Sequence, residues 1–561
     1  MDVFWNAWRR IELLLAAALI ALSLVHVGQT MRAMATNSLS TDEFGTIGSF
    51  SAHGPWRVIT DYRAPKNHVF FNLLNSLLPG RKSYDAARAR ALSLVAVALT
   101  AVAILAHAAW RGRWMAAAVL LALWSLAPQA LPLSLEARGY GFLGFFGVAS
   151  SLSALEYLRG KNRAWLWALA AATALGAYTL PSFLFFAGPL MLLVWLADRT
   201  RWSFFAGLGA VAATLLLYAP ILKPLLAAFG GYDVQGENEA DFRNLHGLLS
   251  AAKLYFFQAE DWQTWALLVV LALAPFAPLA RREDRAGLRV VAGAVVVFCV
   301  AMLALRTPPI RTAAFVFLPL GIAGLWAIGD GLRARTPLRP LAWTAAGALL
   351  LVALFGAVRG FHFTPTENWT LAARGLEAAF PSDMRLDFQR YAKYFKQTLP
   401  DADARSADYD PATFASGRLV VADAGNKWAE GSRFAPPAGM DRVVQWTVPG
   451  TIRNIVLTFR LPTDSGLFHA PAPLVDGRAD TQVALQPRET VLHPAPGVEG
   501  QALVVLLDRP SSPHELTIEA GDGVRPVFAG NAVVIPHPPA AVRLHAMPGS
   551  NLTATEAWIT R

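Results

Sequence analysis

Two adjacent carboxylates, Asp42 and Glu43, open a stretch at 40–78 that also carries His53, Asp61, Arg63, Lys66 and His68. A loop of this length is usually either functional or disordered, and this one is too rich in Phe, Tyr, Trp and Ile for a solvated linker. A carboxylate at the edge of an apolar run is suited to accept a proton from a hydroxyl. Structural roles compete with that chemistry. Thr41 or Asp42 could N-cap a short helix beginning near Phe44, and Tyr62, Arg63 and Lys66 could anchor the chain at headgroup level. The roles of Asp42 are compatible, because a capped helix aims its carboxylate rigidly. Two short turns add charges: SLEARGY at 134–140 with Glu136, Arg138 and Tyr140, and RTPPIR at 306–311 with Arg306 and Arg311. Planar guanidiniums suit bidentate contact with phosphate. Their plain alternative is snorkelling at a helix end, and Glu136 would then orient Arg138.

The elements that position these residues are apolar helices. Of 561 residues 55% are hydrophobic and 16% charged, with a mean hydropathy of +0.38, which places the chain outside ordinary soluble proteins. About eleven runs have a length suited to membrane spans. They lie near 11–31, 89–110, 115–132, 139–158, 164–180, 181–196, 203–221, 265–279, 288–305, 312–328 and 341–358. Trp8-Arg9-Arg10 before the first run and Ala33-Met34-Ala35 after it outline a signal peptide, but the run is long for one and reads as an uncleaved anchor. Arg and Lys recur in alternate connections, at 9–10, 111–113, 159–163, 199–201, 281–285 and 333–339. By the positive-inside rule those connections and the N-terminus are cytoplasmic. The loops at 32–88 and 223–263, and the turns bearing Glu136 and Arg311, then face the other side. The net charge of +10 follows this alternation instead of forming one basic patch, so a nucleic-acid partner is excluded. Cys299 is the single cysteine, which rules out an intramolecular disulfide and a Cys-based metal site.

Composition changes after the last run. Residues 1–360 read as the membrane domain, 361–400 as a connector with helices over 368–379 and 384–398, and 401–561 as a β-rich domain. Short alternating runs near 418–423, 442–448, 454–461, 481–485, 501–507, 515–519 and 541–546, split by Pro, Gly, Asp and Asn, predict a β-sandwich or jelly roll. An odd span count puts this domain outside the cytoplasm, where it could bind carbohydrate.

Four pieces in order, TDEF at 41–44, APKNHVFFNLL at 64–74, SLEARGYGF at 134–142 and TPPIRTAAFVFLPL at 307–320, resemble the GT-C glycosyltransferases, in the branch of aminoarabinose transferase and protein O-mannosyltransferase. The resemblance covers roughly 11–320. It implies transfer of a sugar from a polyprenyl-phosphate donor to an acceptor hydroxyl or amine. It further implies that Asp42 is the catalytic residue, with Glu43 as the alternate, and that Lys66 contacts the donor phosphate. Lys66-Asn67-His68 departs from the usual Lys-Pro-Pro form, so His68 competes for that contact. Physical reasoning agrees: phosphate is a good leaving group, and the enzyme mainly needs a base and cations for the departing charge. Arg138, Arg306 and Arg311 are such cations, with Asp61, Arg63, Glu136 and Tyr140 in support.

No paired-aspartate, Walker or GxGxxG signature introduces a nucleotide on the cytoplasmic side, and the loops there are too short for a nucleotide-sugar domain. The donor is therefore expected to be lipid-linked, and the acceptor an envelope glycan, lipid or protein beyond the bacterial cytoplasmic membrane. No cofactor is required. Asp42, Asp61, His53 and His68 could gather a divalent cation, although their spacing matches no standard site. The competing readings are a lipid or polysaccharide transporter, which should place charges in mid-span, and a carbohydrate-binding membrane protein, which has no need of clustered loop carboxylates.

Overall fold

The computed structural model describes residues 2–37, 39–62, 67–127, 129–231, 252, 261–305, 310–333, 339–359 and 368–379. Beyond them it describes the strands named below with residues 508, 511, 515, 520, 524–526, 530–531 and 538. Contacts divide the chain into two compact units, 1–36 with 42–363, and 37–41 with 364–561.

In the first unit the helices are α1 (Asp2–Thr36), α2 (Thr41–Ser49), α3 (Pro55–Thr60), α4 (Val69–Leu77), α5 (Ala86–Arg111), α6 (Trp114–Ser125), α7 (Ala130–Leu135) and α8 (Tyr140–Gly160). There follow α9 (Arg163–Thr179), α10 (Leu184–Asp198), α11 (Arg201–Tyr218), α12 (Leu222–Gly231), α13 (Asp261–Leu273), α14 (Arg285–Leu305), α15 (Ile310–Ala313), α16 (Phe317–Arg333) and α17 (Arg339–Arg359). Among the described residues seven helical segments are long and apolar enough to cross a membrane, and shorter apolar helices lie at Trp114–Ser125, Trp262–Leu273 and Arg339–Val352. This is the make-up of a multi-pass membrane protein. Every run expected to span overlaps a helix, with three corrections: the run at 115–132 divides into α6 and α7, the run at 265–279 is helical only to Leu273, and the run at 312–328 is broken by a 3₁₀ turn at Ala314–Val316. Pro128 lies between α6 and α7, and a residue without an N–H cannot extend the ladder. Where Pro181 interrupts the next long run, α9 ends, Leu180 turns extended, and a single 3₁₀ turn leads into α10.

The centre of the bundle is α8, packed by α5, α9, α14 and α16. It is mostly apolar or small, as an enclosed helix is expected to be, and its one buried carboxylate, Glu156, is paired with Arg111 and His107. A Cβ on Gly141 would stand 2.6 Å from the Ser134 carbonyl oxygen, so only glycine lets α7 and α8 meet there. The ends of the bundle are fixed differently. At one end Arg113 is buried between Asp330 of α16 and Asp284 of the turn before α14, with Nε 3.2 Å from Asp330 Oδ1, Nη2 2.7 Å from Asp330 Oδ2 and 2.5 Å from Asp284 Oδ2. At the other end lie α2 to α4 and the segments bearing Arg138 and Arg311.

The second unit holds the helix α18 (Trp369–Ala379) and three sheets. The helix expected over 384–398 is corrected at its start: Arg385–Asp387 is a strand, paired in parallel with Leu419–Val421. Five strands form one sheet in the spatial order Val527–Ala529, Ala532–Pro536, Ala502–Leu507, Leu552–Ile559, Val483–Leu485. Another runs Leu467–His469, Thr490–Pro494, Val542–Ala546, Leu516–Glu519. Leu503, Val505, Leu507 and Val533 from the first share one apolar core with Leu492, Leu516, Val542 and Leu544 from the second. Alternation at period 2 is what sends these residues to a common face. Arg442–Val448, Ile455–Leu461, Leu419–Ala424 and Arg385–Asp387 make the remaining sheet.

Candidate active site

Helix α2 begins at Thr41, so Asp42 and Glu43 stand in its first turn, and a helix start near Phe44 is corrected by three residues. Negative side chains in a first turn are favoured by the helix dipole. Successive residues on a helix diverge by about 100°, and the two carboxylates part accordingly.

Glu43 is fully buried. Arg90 of α5 holds it in a fork, Nε to Oε1 at 2.7 Å and Nη2 to Oε2 at 2.6 Å. The Ala137 amide donates to Oε1 at 2.6 Å, and Arg90 also donates to the Met34 carbonyl. Glu43 thereby joins α1, α2, α5 and the turn after α7. Asp42 points elsewhere. Its Oδ2 accepts from Arg311 Nη1 at 2.7 Å and Arg138 Nη1 at 3.1 Å. The two guanidiniums come from the turn after α7 and from the short helix α15, 96 and 269 residues away along the chain.

The turn that delivers Arg138 is tightly held. Ser93 Oγ donates to the Glu136 carbonyl at 2.5 Å and to the Arg138 carbonyl at 3.3 Å. The Arg138 guanidinium lies 4.8 Å from the Tyr140 ring centre. Glu136 Oε2 is 3.9 Å from Arg138 Nη1. Burial pushes the Glu136 carboxyl up to about 8, Glu43 adding to the rise while Arg138 and Arg311 oppose it. Glu136 is therefore mostly neutral at pH 7.

His68 sits at the N-cap of α4, its ring 5.0 Å from that of Tyr140. Burial, with Arg138 and Arg311, keeps its imidazole well below the usual range and hence uncharged. Neither His68 Nδ1 nor the Tyr140 hydroxyl has a hydrogen-bond partner among the described residues. Gly139 makes room for this contact: a Cβ there would be 2.6 Å from Thr179 Cγ2 and 2.9 Å from His68 Nδ1. Asp61 serves the loop itself, pairing with Arg57 at 2.7 Å. Its carbonyl accepts from Asn67 Nδ2 at 2.8 Å.

The structure thus gathers Asp42, Glu136, Arg138, Arg311, His68 and Tyr140 at one place and gives Glu43 a joining position. Arg63, Lys66 and Arg306 lie outside the described residues, as does most of the loop at 223–263. His53 is exposed on its 3₁₀ turn. Among the described residues no three His, Cys, Asp or Glu side chains converge in a way that could hold a metal. Sequence reasoning passed over Arg90 and Ser93. The signal was there, a lone arginine and a serine near the start of a spanning run, where polar groups need a partner.

No family model matches the chain, and no curated protein does. Among solved structures it is similar to ArnT from Cupriavidus metallidurans in the apo state, with TM-score 0.47 and 15% identity over 79% of this chain and 97% of that one. ArnT from the same organism bound to undecaprenyl phosphate gives 0.45 and 14% over the same shares. Arabinofuranosyltransferase AftD from Mycobacteria gives 0.41 and 12% over 97% of this chain and 58% of that one. At these values the likeness carries no weight for the chemistry, which rests on the residues themselves.

Proposed function

We propose that the chain is a membrane glycosyltransferase that moves a sugar from a polyprenyl-phosphate donor to a hydroxyl or amine of an envelope glycan, lipid or protein. The observation that carries this reading is the Asp42 carboxylate shared by Arg138 and Arg311. A base and two phosphate-binding cations in direct contact are the parts that displacement at a sugar–phosphate bond requires.

Donor phosphate entering the site competes with Asp42 for the two guanidiniums. As they turn to the phosphate, Oδ2 is released to take the acceptor's proton. The acceptor oxygen or nitrogen bonds to the anomeric carbon, the bond from that carbon to the phosphate oxygen breaks, and the lipid phosphate leaves with the electron pair. A single displacement inverts the anomeric centre. Neutral His68 and the Tyr140 hydroxyl border the site as further hydrogen-bonding groups, and Lys66 and Arg306 belong to the same motifs. The positive-inside pattern assigns this end of the bundle, and by the odd span count the C-terminal unit, to the outer side of the cytoplasmic membrane.

The test is to incubate the purified chain with an undecaprenyl-phosphate sugar and envelope extract and to follow release of undecaprenyl phosphate by mass spectrometry. Release that depends on acceptor and is lost in Asp42→Ala supports the reading. Equal release by the variant overturns it.

A further inference from the structure

The opposite end of the first unit carries a cavity that sugar transfer does not use. Glu12 lies near the start of α1, about 33 Å of helix rise from Met34 beside the proposed site. Around Glu12 a cavity of about 440 Å³ opens among α1, α6, α16 and α17, within the size range of small-ligand sites, about 300–1,000 Å³.

Its wall has two kinds of surface. Leu15, Val119, Leu325, Trp343 and Leu350 form an apolar side, and Arg113, Arg281 and Arg333 form a cationic one. Arg113 is 1% exposed, and although Nε and Nη2 are paired with Asp330 and Asp284, Nη1 has no hydrogen-bond partner among the described residues. Arg281 Nε lies 3.2 Å from Asp330 Oδ1, and Arg333 Nη2 lies 2.6 Å from Glu12 Oε1. Arg113 is closed off behind these pairs, but the side chains of Arg281 and Arg333 are 39% and 31% exposed, and each guanidinium has more N–H groups than its ion pair uses. A purely apolar ligand would leave those donors unmet, and a free anion would leave the apolar wall wet. One molecule that answers both has an anionic head and a hydrocarbon tail. Leu15 is 44% exposed, so the apolar side communicates with the surface of α1 that faces lipid.

We propose that this cavity binds an anionic phospholipid, its phosphate against Arg281 and Arg333 and one acyl chain along Leu15, Val119, Trp343 and Leu350. The location among the arginine-rich connections fits the anionic leaflet to which the positive-inside rule assigns this end. The inference stands whether or not the chain transfers sugar.

Gly347 offers a clean test, because a Cβ there meets nothing within 4 Å and a larger side chain grows into the cavity. The purified full chain is titrated with dioleoylphosphatidylglycerol, with dioleoylphosphatidylcholine and with inorganic phosphate, and bound ligand is counted by native mass spectrometry. The expected result is binding of the glycerol lipid about tenfold tighter than the choline lipid, with no retention of inorganic phosphate. Gly347→Phe should lose the tight lipid at an unchanged unfolding temperature, and Arg333→Met should bind the two lipids alike. Equal affinity of the wild type for both lipids, retention of inorganic phosphate as strongly as lipid, or wild-type lipid selectivity in both variants would each overturn the proposal.

Discussion

If Asp42 occupies the seats that the donor phosphate will take, then Asp42→Asn should bind polyprenyl phosphate more tightly while losing transfer. In the wild type Oδ2 accepts two charge-assisted hydrogen bonds, from Arg311 at 2.7 Å and Arg138 at 3.1 Å. Bonds of this kind contribute about 1.5–3 kcal/mol each. An incoming phosphate must exchange for them, so part of its own contact energy is cancelled. The amide removes the negative charge and keeps the side chain's shape. Relief of the longer bond alone, taken at the low end of about 1.5 kcal/mol, raises affinity a little over tenfold. Loss of the base lowers the chemical step by about 10²–10⁴. Intrinsic tryptophan fluorescence, titrated with undecaprenyl phosphate in detergent, gives the first number, and single-turnover release of lipid phosphate gives the second. Weaker binding by the variant would show that Asp42 holds Arg138 and Arg311 in place without competing for them. Transfer within a few-fold of wild type would remove Asp42 from the chemistry altogether.

Glu43→Gln should act on the fold, because the buried Arg90 guanidinium loses its carboxylate counter-charge; the expected loss is about 3–5 kcal/mol, read by unfolding in detergent. Glu136 sets a pH dependence. Its folded value of about 8 lies above the 4.5 of a free side chain, so the native state binds the extra proton between those values. The stability this group contributes is present at low pH and is lost as pH rises from about 4.5 through about 8. Glu136→Gln should flatten that limb in thermal unfolding. Undecaprenyl-phosphate binding by the wild type should weaken above pH 8, as a second carboxylate ionises beside Arg138, and the variant should not show this.

The long helices were readable because each is an extended apolar run, a pattern carried by neighbouring residues. The division of the run at 115–132 was less so, since its residues stay apolar through the break. In the second unit Ala532–Pro536 and Leu552–Ile559 are strands that the alternation rule passed over. Ala532–Ile535 is buried without interruption and therefore does not alternate. Residues 385–387 read as the start of a helix, and only pairing with Leu419–Val421 makes them a strand. At the site, the residue types and their order along the chain were legible, but the division of labour was not. Asp42 and Glu43 are neighbours with the same chemistry. Their different surroundings are set by Arg90, Arg138 and Arg311, which come from three other parts of the chain.

That division has a consequence for charge. Among the described residues three guanidiniums, Arg90, Arg138 and Arg311, face two ion-paired carboxylates, Asp42 and Glu43, which leaves one net positive charge. Glu136 does not alter this balance while it is protonated, nor does His68 while it is neutral. A sugar on a polyprenyl phosphate is a phosphodiester with one negative charge, so the bound donor is neutralised. As the sugar departs, the phosphate becomes a monoester carrying about −1.5 to −2 at pH 7. In the proposed reaction, proton transfer to Asp42 in the same step removes one carboxylate charge from the cluster. The guanidiniums therefore gain attraction for the leaving group just as its charge grows, which is stabilisation of the transition state over the ground state. Ionisation of Glu136 would cancel that gain, so on the proposed reading burial of Glu136 beside Arg138 helps the site hold the departing lipid.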